Sequence, residues 1–298
     1  MNQRSQIAEG RASDGSTMRP DPVPDEPSVG ALEAQVLGHL VATRRRRLLN
    51  VWVIRVAVLA VALSLWQLAA NREWVPSQLV SKPTEVFRSF GDYFSTGDIW
   101  TDIWATFEAS LLGLVIGGLL GILCGVVLAK NETLAQAFKP FITTLNALPR
   151  VALAPIFLVW FGLGVTPKVL VAASLVFFVL LLNTSAGVSN VDADIRFLSR
   201  SLAMTRWQRF KSVEFPSALP SIVAGLRLGA VYSVLGVIVS EMVASMAGLG
   251  QVLVTATTNL QMGRAFAVIV VITAIATALD LLVSIAERRI RRWHVRGD

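Results

Sequence analysis

Long apolar blocks separated by short polar joints dominate the chain after its first fifty residues, and the length of those blocks sets the first expectation. Six are long enough to cross a bilayer, which takes roughly 20 residues each: about Leu48–Ala70, Trp104–Ala129, Ala137–Phe161, Lys168–Gly187, Ser221–Ser245 and Arg264–Ala286. The third is interrupted by Pro149 and Pro155. Lipid cannot satisfy an open backbone, and the blocks lack the period of two of a barrel strand, so each is predicted to be a helix. Ahead of them, residues 1–27 are rich in Pro, Asp, Ser and Arg and poor in large apolar side chains, which predicts disorder. From Ser28 to Arg47, Leu32, Val36, Leu37, Leu40 and Val41 share one helical stripe and Arg44–Arg47 follow. That segment reads either as an interfacial helix with its basic end on anionic headgroups or as a loosely ordered tail.

The expected organisation is therefore a cytoplasmic amino-terminal tail (1–47), a membrane domain (48–287) and a basic cytoplasmic tail (288–298). The fold class is an all-α membrane protein of about six transmembrane helices. Composition agrees: of 298 residues, 54% are hydrophobic and 16% charged, against about 25% charged in a soluble domain. A net charge of +7 could suggest nucleic acid, but the Arg runs lie beside apolar spans and point to a membrane surface instead. With the amino terminus in the cytoplasm, the inside segments hold Arg44–Arg47, Lys130, Lys139, the cluster Arg196, Arg200, Arg206, Arg209 and Lys211, and the tail from Arg288. The outside segments hold only Arg72, Lys82, Arg88, Lys168 and Arg264. That asymmetry predicts both termini inside. The outer segment 71–103 carries Trp74, Pro76, Pro83 and Trp100 and is expected to form a short interfacial helix with aromatic anchors. No cleavable signal is expected, since the first apolar block starts only near Leu48. The single cysteine, Cys124, lies in an apolar run and reads as a packing residue.

Gly113, Gly117, Gly121 and Gly125, with Gly118 beside them, recur at steps of four and predict a face for close helix packing. Arg227 lies about two turns inside the fifth block; its stem is expected to snorkel to the cytoplasmic headgroups or touch the preceding loop. Asp280, near the inner end of the sixth block, is expected to pair with an Arg or face water. Glu241 has two readings: a gate or pathway residue, or a helix-end acid hydrogen-bonded to the following turn Gly248-Leu249-Gly250. Ser233 and Asn183 join Glu241 as candidate pathway residues. No catalytic or metal constellation is visible, and His39 and His294 lie far apart in basic flanks, so the chain is not expected to be an enzyme. It lacks the GxxxxGK[ST] phosphate loop, so any ATP must be hydrolysed by another chain.

The inner loop between the fourth and fifth blocks (188–220) carries the functional signal. Phe197, Leu198, Leu202, Ala203, Trp207, Phe210 and Val213 form an apolar stripe, while Arg200, Arg206, Arg209 and Lys211 fall largely off it. One amphipathic helix, Phe197–Phe215, bounded by Pro216 and Pro220, is predicted. This loop resembles the cytoplasmic motif of bacterial ATP-binding cassette (ABC) importer permeases: EAA, three residues, Gly, nine residues, Ile, one residue, Leu-Pro. With Pro216 as the motif's proline, Phe215 holds the Leu place, Val213 the Ile place, Ala203 the Gly place, and Phe197, Leu198 and Ser199 the EAA places. The acidic residue and the glycine are absent. The stretches ALPRVALAPIFLVWFG (147–162) and SEMVASMAGLGQVL (240–253) are also similar to the branch importing nitrate, taurine and aliphatic sulfonates.

The resemblance, over about residues 50–290, implies a type I ABC importer permease bundle in the bacterial inner membrane. It implies a pathway along the interface of two permease copies, two cytoplasmic ATPase subunits that hydrolyse ATP, and an extracytoplasmic solute-binding protein. The coupling residues it implies are Arg200, Ser201, Leu202, Ala203, Met204, Thr205, Arg206, Trp207, Phe210 and Pro216. The solute expected is a sulfonate, taurine, nitrate or related small anion, with heterocyclic vitamin precursors as the alternative. A self-sufficient secondary transporter is the competing class; such carriers often show internal repeats and mid-span charges, whereas here no convincing half-to-half repeat is found and mid-span charges are scarce.

Overall fold

The computed structural model describes residues 29–72, 80–95, 97, 99–243 and 245–294, with side chains from Asn50 onward except at Ala193, Arg196, Arg200 and residues 290–294. The disorder expected for 1–27, the anchor Trp74 and the last four residues lie outside the described residues. The chain divides into two compact units, Met1–Ala62 and Leu63–Asp298. The described part of the first belongs to α1 (Val29–Asn71), in which Asn50–Asn71 is apolar and long enough to span a membrane.

The second unit holds the end of α1 and ten further helices among the described residues. The outer segment contains α2 (Pro83–Ser95), started by Pro83 with Glu85 in its first turn. Long spans follow as α3 (Ile99–Lys130) and α6 (Val165–Ser189), and later as α9 (Phe215–Val243) and α11 (Met262–His294). A short α10 (Leu249–Thr258) fills the joint between the last two.

The glycine ladder of α3 is spent inside this unit, against α6. A Cβ at Gly117 would stand 2.5 Å from the Ala173 carbonyl oxygen, and one at Gly121 would stand 2.5 Å from that of Phe177. Lipid tails are as apolar as Leu, so such helices gain little from leaving lipid. Close backbone approach and dispersion hold α3 on α6 instead. Further in, Val176, Leu180, Val234, Val268, Ile275 and Leu279 join α6, α9 and α11 in one core.

Three expectations change. The third block is a sharply bent pair of helices, not one straight helix. α4 (Glu132–Ala147) stops at Leu148, a short 3₁₀ turn covers Arg150–Leu153, and α5 (Ala154–Phe161) leaves at 77° to α4. Pro149 pushes Leu148 to extended backbone (φ −64°, ψ 135°), which ends α4. Pro155 breaks nothing, because it occupies the tolerant first turn of α5.

The single amphipathic helix over 197–215 is not formed either. α7 (Ala193–Ser201) ends in a turn at 202–205, and α8 (Arg206–Arg209) passes through a π-turn, Phe210–Glu214, into α9. Pro216 and Pro220 therefore lie within one continuous helical run, Arg206–Val243. The Phe215 N–H donates to the Phe210 carbonyl five residues back; this wider turn lets the run reach Pro216, which has no N–H of its own.

Finally, Arg227 does not reach the preceding loop. Its Nε and Nη2 donate to the two Asp280 oxygens at 2.8 and 3.1 Å, tying α9 to α11. Asp280 thereby gains the Arg partner expected of it.

Candidate functional site

The two ends of the bundle are built differently. At the Lys130 end, the α7–α8 turn is fixed by its own backbone. Ala203 adopts φ 52°, the left-handed region, just beyond the helix end. The Met204 N–H then donates to the Ser199 carbonyl at 3.2 Å, the six-to-one bond of a Schellman cap. A left-handed alanine costs about 1–2 kcal/mol, and Ala203 stands where the resembled motif carries glycine. Two residues on, Thr205 and Gln208 form a capping box. The Gln208 N–H donates to Thr205 Oγ1 (3.3 Å), and the Thr205 N–H donates to Gln208 Oε1 (2.9 Å).

This fixed turn displays apolar side chains outward. Phe197 is 73% exposed, and Leu202 and Trp207 are each 67% exposed, with Leu198 beside them. Arg206 is exposed too, and Arg209 pairs with Glu214 at 3.0 Å. Besides its continuity with α9, a cation–π contact ties the turn to α3: Lys130 Nζ, at the end of α3, lies 3.3 Å from the Phe210 ring centroid and 5.8 Å from that of Trp207. Phe210 in turn packs on Phe215. Of the ten residues assigned to coupling, Ser201 ends α7, Leu202 to Thr205 form the turn and Arg206, Trp207 and Phe210 the segment beyond it. Pro216 lies inside α9, and the side chain of Arg200 lies outside the described residues.

At the other end a polar knot gathers round a buried carboxylate. Glu241 is wholly buried. Its carboxylate accepts from Lys168 Nζ (3.1 Å), Thr106 Oγ1 (3.0 and 3.1 Å to its two oxygens) and the Gly250 N–H (2.9 Å). Lys168 also donates to the Ala247 carbonyl (2.7 Å), and Thr106 Oγ1 accepts from the Leu249 N–H (3.0 Å). Asp102 accepts from the Gly248 N–H and from the Tyr93 hydroxyl, both at 2.8 Å. Burial pushes the Tyr93 phenol well above its ordinary value, and Asp102 adds to the shift. Gly248, at φ 121°, sits against the Glu241 carboxylate where no side chain fits.

The three candidate pathway residues are not brought together. Ser233 is buried and bonds the Ala230 carbonyl of its own helix, and Asn183 is half-buried beside Gly225. Gly225, Ser233 and Glu241 follow one another at intervals of about 12 Å along α9. Sequence reading missed Lys130, Thr106 and Asp102 as contact residues and placed Lys168 only among the outside charges. The one available signal was the i, i+4 spacing of Asp102 and Thr106, which puts both on one face of α3.

The model of the binding-protein-dependent transport system inner membrane component family matches residues 117–292, from mid-α3 through α11. The chain belongs to that family. The permease is 32% identical to the riboflavin transport system permease protein of Chloroflexus aurantiacus over 79% of this chain and 88% of that protein. It is 26% identical to a putative aliphatic sulfonates transport permease of Bacillus subtilis (81% and 88% covered) and 28% identical to the taurine transport system permease of Escherichia coli (81% and 90%). In fold it is similar to a chain of the MetNI methionine ABC transporter in an inward-facing conformation. There the TM-score is 0.53 at 18% identity, covering 65% of this chain and 96% of that one. The permease is thus a multi-pass inner-membrane subunit of an ABC importer, and its relatives are transport permeases rather than enzymes.

Proposed function

We propose that the α7–α8 turn of this permease docks into a separate ATPase subunit, and that two permease copies, two ATPase subunits and an extracytoplasmic solute-binding protein form the working importer. ATP is hydrolysed in the partner, with no cofactor held by this chain. The observation that carries the reading is the exposed set Phe197, Leu198, Leu202 and Trp207 on a turn locked by a Schellman cap and a capping box. A locked apolar knob outside the bundle moves as a rigid body when its socket moves. Lys130 hands that motion to α3.

Lys and Arg placement supports a cytoplasmic Lys130 end, with both termini on that side and the Glu241 knot at the outer end. A second copy is supported by α4, which buries no residue within one chain yet carries Gln136, Lys139, Thr143, Thr144 and Asn146, too polar a set to face lipid all round. All three candidate pathway residues bond within one chain, Asn183 through its Nδ2 to the Val179 carbonyl at 2.8 Å; Asn183, half-buried, is the one proposed to face the pathway.

The solute reading is a small anion such as a sulfonate, taurine or nitrate, supported by the relatives named for aliphatic sulfonates and taurine. The riboflavin permease, and a formylaminopyrimidine permease of Halalkalibacterium halodurans 35% identical over 40% of this chain, favour a heterocycle as the second reading. The test is uptake by the reconstituted complex with its binding protein. A glycine inserted after Thr205, or Arg206→Glu, is expected to abolish uptake while the permease still inserts. Full uptake by both variants would refute docking, and uptake of riboflavin but of no small anion would refute the solute reading.

A further inference from the structure

We infer that Arg150 is the anion-recognising residue of the translocation pathway, a fixed cation near mid-membrane that meets the negative group of the crossing solute; the inference rests on the small-anion reading above. Arg150 follows the break between α4 and α5 and is only 9% exposed. Its guanidinium carbon stands 4.2 Å above the Phe178 ring. Phe178 lies about 20 Å along α6, a helix of about 37 Å, so the contact is central in depth.

Three buried charges occur among the described residues: Arg150, Lys168 and Glu241. Lys168 and Glu241 neutralise each other. Arg150 has no carboxylate partner among the described residues. Its Nη2 donates to the Asn146 carbonyl oxygen at 2.9 Å and to Asn146 Oδ1. Its Nε is buried with no partner.

These contacts hold the plane of the guanidinium without neutralising it. Asn146 takes one corner of the fork, Phe178 covers a face, and the Nε edge stays uncommitted. Five donors in a planar fork match the geometry of a sulfonate, nitrate or carboxylate. An unneutralised charge at this depth is costly and marks a functional site by default. Its place is also where a pathway site is expected on physical grounds, since a broken helix frees backbone and opens a polar notch in an otherwise closed span. Pro149 makes that break, and α4, which buries nothing within one chain, supplies the Asn146 that holds the guanidinium beside it.

The experiment is uptake of radiolabelled taurine, methanesulfonate and nitrate by proteoliposomes of the full complex at saturating binding protein, with riboflavin as a neutral probe. Arg150→Gln is expected to lower the maximal rate for the transported anion about tenfold or more, and Arg150→Lys, which keeps the charge but loses the fork, to fall between. In a Cys124→Ala background, Arg150→Cys is expected to regain several-fold activity after modification with the cationic methanethiosulfonate ethylammonium and none after the anionic sulfonatoethyl reagent. Co-purification of the ATPase reads assembly. Unchanged anion uptake by Arg150→Gln would overturn this inference alone. Equal rescue by both reagents, or loss of assembly in Arg150→Gln and Arg150→Lys alike, would assign Arg150 to structure, with a carboxylate of the second copy as its counter-ion. Wild-type uptake of riboflavin and of no anion would remove the solute reading and this inference with it.

Discussion

The Glu241 end and the Lys130 end of this permease spend their polar and apolar groups in opposite ways. At the first, a carboxylate, an ammonium, a threonine hydroxyl and the backbone of the Gly248-Leu249-Gly250 turn satisfy one another with no exposed surface at Glu241. At the second, the backbone is equally well capped, yet Phe197, Leu202 and Trp207 stand out from it. A closed network specifies its own geometry and needs nothing further. An exposed apolar turn with a rigid backbone leaves a surface that a partner can cover. The contrast supports the proposal that one end serves structural integrity and the other transmission.

The largest expected effect breaks the closed end. Lys168→Met leaves Glu241 buried without its counter-charge and is expected to cost about 3–5 kcal/mol, read as the thermal midpoint of the detergent-solubilised protein. Adding Glu241→Gln should recover much of that loss, because the buried charge goes with it. A single substitution within about 1 kcal/mol of wild type would mean the knot is not closed.

Next comes Ala203→Gly. Relieving the left-handed alanine is expected to stabilise by about 1 kcal/mol, raising the midpoint by about 2–4 °C for a chain of this size. A fall in midpoint would place the turn in another backbone conformation.

The smallest stability effect is expected at Lys130→Met, about 0.5–1 kcal/mol for an exposed cation–π contact. Uptake should fall by considerably more than that loss of stability explains, because the substitution cuts the tie between the turn and α3. Equal and small losses in both would make Lys130 a surface contact and weaken the contrast between the ends.

Much of this fold was legible in the sequence because membrane helices announce themselves by length, and glycines at steps of four announce a close face. The bend after α4 was half legible. The prolines at 149 and 155 were visible near the bend, but only Pro149 forces its predecessor out of helix, while Pro155 meets no constraint at the start of α5. The α7–α8 turn was hidden because an alanine at φ 52° carries no mark in sequence; a glycine at 203 would have suggested the break. The π-turn before Pro216 was hidden for the converse reason, since prolines ordinarily signal a helix end. The knot joins Thr106 and Lys168 to Glu241 across 135 and 73 residues, a closeness that only the packing of α3, α6 and α9 creates.

Seating of the exposed turn in the ATPase can be read by placing a cysteine at Leu202 or Trp207, in a Cys124→Ala background, and cross-linking it to the ATPase subunit in native membranes. The expected result is a permease–ATPase adduct that forms from the cytoplasmic side and changes in yield when a non-hydrolysable ATP analogue is added. Labelling of the same cysteines by a membrane-impermeant maleimide applied outside intact cells, with no adduct, would contradict it.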